Sequence, residues 1–123
     1  VQRDGHRALA ELGPIASVER VSAARRAVHG VRVQEDVLRY LVELCRRTRE
    51  LPDASLGVSP RGTQALHLAV RARAVLHDRD YVVPDDIHRL AVPVLAHRIQ
   101  TDGGTESAEA LIAELVARVP APE

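Results

Sequence analysis

Apolar residues recur at three- and four-residue intervals along five stretches of this chain, the spacing that places them on one face of an α-helix. The first stretch follows Ser17, a good N-cap, and sets Val21, Ala24 and Val28 on one side before His29-Gly30 closes it. Upstream, Leu9, Leu12 and Ile15 are candidate anchors in a linker-like start. The second stretch, about residues 34–50, aligns Val37, Leu38, Leu41, Val42, Leu44 and Cys45. A third runs from Ser59 to about His77, with Ala65, Leu68, Ala69, Ala72, Val75 and Leu76 expected inward. The fourth opens at Pro84-Asp85-Asp86 and carries Ile87, Leu90, Ala91, Val94 and Leu95, with Pro93 predicting a kink or restart. The fifth, about 105–119, follows an Asp-Gly-Gly turn and carries Leu111, Ile112, Leu115 and Val116. Val31-Arg32-Val33 and Tyr81-Val82-Val83 each precede a helix and can pair as a minimal two-stranded ribbon. The predicted fold class is therefore all-α: a small bundle of about five helices, with room for one small β contact.

Charge placement supports the helices. Glu35 and Asp36 open the second one, and Arg46, Arg47 and Arg49 close it, as the helix dipole favours. Glu35 with Arg39, and Glu43 with Arg47, are spaced for ion pairs on the exposed side. With 123 residues the chain is expected to be one domain. Its core must be aliphatic, because Phe, Trp and Met are absent and Tyr40 and Tyr81 are the only aromatics. Seventeen acidic residues balance 17 basic ones, so no whole-molecule field draws in nucleic acid or an anionic membrane. All 17 basic residues are arginine, which we attribute to genomic base composition rather than to function. Cys45 alone cannot form an internal disulfide, and no apolar run reaches the ~20 residues of a membrane span. The chain starts at Val1 without a signal-peptide profile and reads as an excised piece of a soluble, cytoplasmic protein.

The chemistry-bearing residues are few. None of the six histidines has the HxxxH or HxxE spacing that sets two metal ligands on one helical face, so no metal site is expected. His29, His77 and His97 stand near helix C-termini, where the dipole accommodates them. Cys45 lies on an apolar stripe, which dulls a thiol. Asp85 and Asp86 read as helix-start acids, and no glycine-rich phosphate loop or nucleophile elbow occurs, so the chain by itself is not expected to be an enzyme.

One stretch breaks the charge rule. In "LGVSPRGTQAL", residues 56–66, Ser59 is a good N-cap and Pro60 suits the first helical position, but Arg61 follows at the second. A cation there is unfavourable by about 0.3–1 kcal/mol unless an anion compensates. Gly62 weakens the helix by up to ~1 kcal/mol and leaves room for close approach. From the residues alone, Arg61 is either an idle solvated cation or part of an anion site built with the helix N-terminus. Two other readings compete: a free-standing helical adaptor, and a helix-turn-helix DNA reader over residues 81–99. Zero net charge and Asp85-Asp86 at the start of the would-be recognition helix argue against the DNA reader.

Five separated motifs then fall in one order: Thr48-Arg49, Gly57-Val58-Ser59-Pro60-Arg61, Arg79-Asp80-Tyr81-Val82, Pro84-Asp85-Asp86 and His97-Arg98. Together they resemble the C-terminal lid of a MoxR-type AAA+ ATPase, and nearly all of the chain can be laid on that lid. The resemblance implies a linker from an ATPase core at 1–16, a helical lid at 17–119 and a tail at 120–123. It implies that Arg61 is the sensor 2 residue on the terminal phosphate of ATP, acting on its own subunit's nucleotide or a neighbour's, with Ser59, Pro60 and Gly62 supporting it. Thr48 and Arg49 match a second block that either packs and caps the second helix or contacts a partner. The Walker A and B motifs, the arginine finger and the sensor 1 residue belong to the core and are not in this sequence, so ATP and Mg would be held mainly by that core and neither is expected bound to the lid alone. The implied partners are the core, neighbouring subunits of a ring, and von Willebrand factor A domain proteins in a chaperone-like complex. No nucleic acid or membrane partner is implied.

Overall fold

Helix α1 spans Val18–Gly30, and its start is capped by Ser17, whose side chain accepts the N–H of Arg20. These elements belong to a computed structural model that describes residues 12–122. Helix α2, Glu35–Arg47, runs into a short 3₁₀ turn at Thr48–Glu50. Helix α3 is Pro60–Leu76, α4 is Pro84–Leu95 followed by a second 3₁₀ turn at Ala96–Arg98, and α5 is Gly104–Arg118. Two short strands, β1 at Ala54–Leu56 and β2 at Gln100–Thr101, pair antiparallel. The molecule is thus the all-α bundle with a small β element that the periodicity predicts.

The core is formed by Leu41 and Leu44 of α2, Leu66 and Val70 of α3, Ile87 and Leu95 of α4 and Ile112 of α5, all fully buried. Burying a large aliphatic side chain contributes about 1.5–3 kcal/mol, which makes this cluster the main source of stability. Tyr40 is buried beside it, and its hydroxyl lies 2.9 Å from His88 Nε2.

Several sequence expectations are corrected. The apolar side of α1 is not a core face: no residue of this helix is buried, Val21 and Ala24 are exposed, and so are Leu12 and Ile15 among the described residues. Leu9 lies outside the described residues. On α2, Leu38 and Val42 are exposed and Tyr40 is inside, because α3 and α5 meet a narrower stripe than the sequence offers. On α3 the buried residues are Gly62, Leu66, Val70 and Ala74, while Leu68 and Leu76 face out. This helix is apolar on most sides, so periodicity cannot select its inner face; packing against α4, its most extensive neighbour, does.

Helix α4 continues through Pro93 to Leu95 instead of restarting. The Val31–Val33 and Tyr81–Val83 pieces do meet, but only as one parallel bridge between Arg32 and Tyr81, with Arg32 N–H donating to Asp80 O at 2.8 Å. The actual ribbon, β1 with β2, lies in segments that carry no strand pattern in the sequence. It joins the turns after α2 and α4 and so sits directly before the start of α3.

Candidate functional site

The start of α3 is assembled from three parts of the chain. Ser59 adopts extended geometry (φ −73°, ψ 163°) and accepts the N–H of Gly62 at 3.2 Å, while its carbonyl accepts the N–H of Thr63 at 3.0 Å. Pro60 has no N–H, so among first-turn amides that of Arg61 is the one left without an intrahelical acceptor. The Arg61 side chain is exposed and makes no hydrogen bond or ion pair among the described residues. Arg61 therefore offers both a main-chain N–H and a guanidinium from the same point.

The residue before the cap is held from both sides. Thr48, fully buried, donates its hydroxyl to Cys45 O at 2.6 Å and accepts the Val58 N–H at 2.9 Å. Arg49 Nε donates to Val58 O at 2.9 Å. Adjacent residues thus clamp the two main-chain polar groups of Val58. They position the start of α3, which is how the structure accounts for the Thr48-Arg49 motif.

The glycines have steric reasons. A Cβ on Gly57 would lie 2.6 Å from Arg49 Cα, a backbone contact that cannot yield cheaply. A Cβ on Gly62 would lie 2.7 Å from Val58 Cγ1 and 3.4 Å from Arg98 Cδ. Gly62 is thus buried against the clamped segment, and the close approach expected there is made by Val58 and Arg98.

Asp85 and Asp86, both read as helix-start acids, separate. Asp85 is exposed and pairs with Arg89 at 3.5 Å. Asp86 is buried, accepts a two-pronged contact from Arg79 at 2.7 and 2.9 Å, and reaches back to the Val83 N–H at 3.0 Å. Arg73 of α3 adds a second cation at 3.2 Å. Burial pushes the Asp86 carboxyl upward, but the hydrogen bonds from Arg79 and Val83 and the two guanidinium charges outweigh it and hold it below the usual aspartate value. The Arg79 to Asp86 motif therefore joins α4 to α3. Burial pushes the Cys45 thiol up, in keeping with a packed core residue.

Sequence reasoning missed Arg98 as a neighbour of this site. Its side chain crosses Gly62, donates Nε to Val94 O at 2.9 Å, and lines a cavity of about 540 Å³ together with Arg49, Ser55 and Ser59. The signal was present in the His97-Arg98 motif, but only the packing of α4 and its 3₁₀ turn on α3 brings it beside Gly62. No described helix is long and apolar enough to cross a membrane.

Comparison with known proteins agrees with this architecture. The AAA lid domain family model matches residues 46–116. The Bacillus subtilis protein YeaC, itself uncharacterised, is 40% identical over 115 residues, covering 90% of this chain and 36% of that protein. Protein MoxR of Paracoccus denitrificans is 35% identical over 111 residues, covering 76% of this chain and 33% of its own length. Protein MoxR of Methylorubrum extorquens is 41% identical over 71 residues, covering 54% of this chain and 21% of that protein. The crystal structure of a candidate ATPase from Cytophaga hutchinsonii superposes with a TM-score of 0.70 at 24% identity, covering 80% of this chain and 34% of that one. The chain spans about a third of the length of the first two relatives. From the helical architecture, the clamped α3 start and these matches together, the chain belongs to the AAA lid domain family and is a lid of the MoxR type.

Proposed function

We propose that this chain is the nucleotide-sensing lid of an AAA+ ATPase, with Arg61 acting as the sensor 2 residue on the terminal phosphate of ATP. The observation that carries the reading is the charge at helix starts. Helices α1, α2, α4 and α5 each bear an acidic residue in the first turn, namely Glu19, Glu35 with Asp36, Asp85 with Asp86, and Glu106. Helix α3 bears none and carries Arg61 instead. Its cation adds to the positive end of the dipole, a local cost that an incoming phosphate reverses.

The remaining residues hold that cation in place. Ser59 caps the helix, Thr48 and Arg49 fix the preceding residue, and Gly62 lets the segment pack tightly, so Arg61 stands on a rigid base. When bound, ATP with Mg, held mainly by a core domain, would supply the transferring phosphoryl group; Arg61 would offer forked donors to its oxygens. Because the contact depends on the phosphate, its loss on hydrolysis would release the lid and let it move relative to the core and to neighbouring ring subunits. Proteins with von Willebrand factor A domains are the partners on which such a chaperone-like machine would act in the cytoplasm.

The test is steady-state ATP hydrolysis by the complete ATPase carrying this lid, wild type against Arg61→Ala. The expected loss is tenfold or more, equivalent to about 1.4 kcal/mol of transition-state stabilisation. Folding stability should change by less than about 0.5 kcal/mol, as for other exposed side chains. Unchanged turnover by a folded variant would overturn the proposal and favour the adaptor reading.

A further inference from the structure

We infer that the cavity between the β1–α3 loop and the second 3₁₀ turn is a second phosphate subsite, with Arg98 as its main cation and Arg49 as its partner. The inference deepens the reading of α3's start as phosphate-facing and adds a residue to it.

The argument begins with which arginines find carboxylates. Arg32, Arg39, Arg46, Arg47, Arg89 and Arg118 pair at the surface, and Arg73 and Arg79 pair with Asp86. Apart from those on α1, the arginines with no carboxylate among the described residues are Arg49, Arg61, Arg71 and Arg98. Arg71 uses its donors on the carbonyls of His29 and Val31 at the end of α1. The other three gather at the start of α3. The three arginines at the start of α3 thus form a local surplus with no carboxylate partner among the described residues.

Orientation sharpens the point. Arg49 and Arg98 each spend Nε on a main-chain carbonyl, that of Val58 and that of Val94, and the terminal nitrogens of both forks make no hydrogen bond among the described residues. Both side chains line the cavity of about 540 Å³, whose other lining residues include Ser55 and Ser59 and no acid. Two like charges facing one space repel unless an anion sits between them. Planar forks held by Nε suit the oxygens of a phosphoryl group better than a single carbonyl or hydroxyl would. Arg61 directly precedes Gly62, whose Cβ position lies 3.4 Å from Arg98 Cδ, so a ligand with linked phosphates reaching from the cavity to the α3 start would engage both. The ligand class is therefore an oligophosphate. Its source is either the phosphate chain of a nucleotide or free polyphosphate.

The experiment has two arms. In the first, inorganic triphosphate is titrated into the 123-residue chain at low salt and followed by the backbone amide resonances of Gly57, Val58 and Ser59, for wild type, Arg98→Gln, Arg98→Lys and Arg61→Ala. Saturable shifts in the wild type, weakened about tenfold in Arg98→Gln and partly restored in Arg98→Lys, are expected, since one charge-assisted contact is removed and then returned. No shifts in the folded wild type at millimolar triphosphate, or equal affinity in Arg98→Gln, would overturn the subsite. In the second arm, the complete ATPase is assayed: a raised KM for ATP in Arg98→Gln, with kcat changed far less, assigns the subsite to nucleotide, and an unchanged KM assigns it to free polyphosphate. Arg61→Ala separates the two proposals. If it leaves turnover intact while the Arg98-dependent shifts persist, the sensor reading fails and the subsite stands; if it abolishes turnover and the shifts never occur, the reverse holds.

Discussion

Helices α3 and α4 start alike and are charged oppositely. Both place proline in the first turn after an extended residue, Ser59 for α3 and Val83 for α4. At α4 the first-turn acid, Asp86, folds back onto the Val83 N–H and is buried under Arg79 and Arg73, so the charges close within the lid. At α3 the first turn has a cation, and Arg49, Arg61 and Arg98 meet no carboxylate among the described residues. One start joins two helices and is complete in this chain. The other is equally well fixed in its backbone, but its charge is left for something else to balance. Rigid placement with open charge separates a binding position from a structural one.

The sharpest way to break the comparison is at Asp86. Asp86→Ala leaves two guanidiniums facing each other, and should cost about 3 kcal/mol, the lower end for a broken buried pair because both arginines keep some water. Urea unfolding measures it, and a loss under 1 kcal/mol would mean that the closed start is not structural. The same residue sets a pH dependence. Its carboxyl is held below the usual value in the folded state, so its contribution is present above the unfolded aspartate pKa of 3.8 and is lost as pH falls through the lower folded value. Stability should therefore drop below about pH 4, and less so in Asp86→Asn.

The clamp on Val58 comes next in size. Thr48→Val keeps the shape but leaves the buried Val58 N–H without an acceptor, a cost of about 1–3 kcal/mol. In the complete ATPase it should also impair turnover, because Arg61 loses its base. A destabilised lid with normal turnover would show that sensing does not depend on this clamp.

The smallest expected effect is also the most diagnostic. Arg61→Glu makes the α3 start resemble that of α4, and should stabilise the isolated chain by about 0.3–1 kcal/mol, since an acid replaces a cation at the dipole's positive end. Turnover of the complete ATPase should fall at least as far as with Arg61→Ala. A variant more stable and less active would show that the cation is kept at the expense of stability. Lower stability would mean that Arg61 has an internal partner.

Much of this was legible in the chain because it is written in local chemistry. Caps, helix-start acids, proline at the first helical position and glycine after a turn act within a few residues, so the five helices and the misplaced Arg61 could be read in order. The inner face of α3 could not, because a helix apolar nearly all round is oriented by its neighbours and not by its own period. Nor could the β1–β2 ribbon, whose pairing joins residues 54–56 to 100–101 through backbone groups that any side chain can present. The turn after α4 carries Arg98 beside Gly62, just as the turn after α2 carries Thr48 and Arg49 onto Val58. The sequence alone determined which residues cap, start and charge each helix, since those interactions span one turn. Only the tertiary structure decided which cations converge and which find an acid, because that depends on distances between segments well separated along the chain.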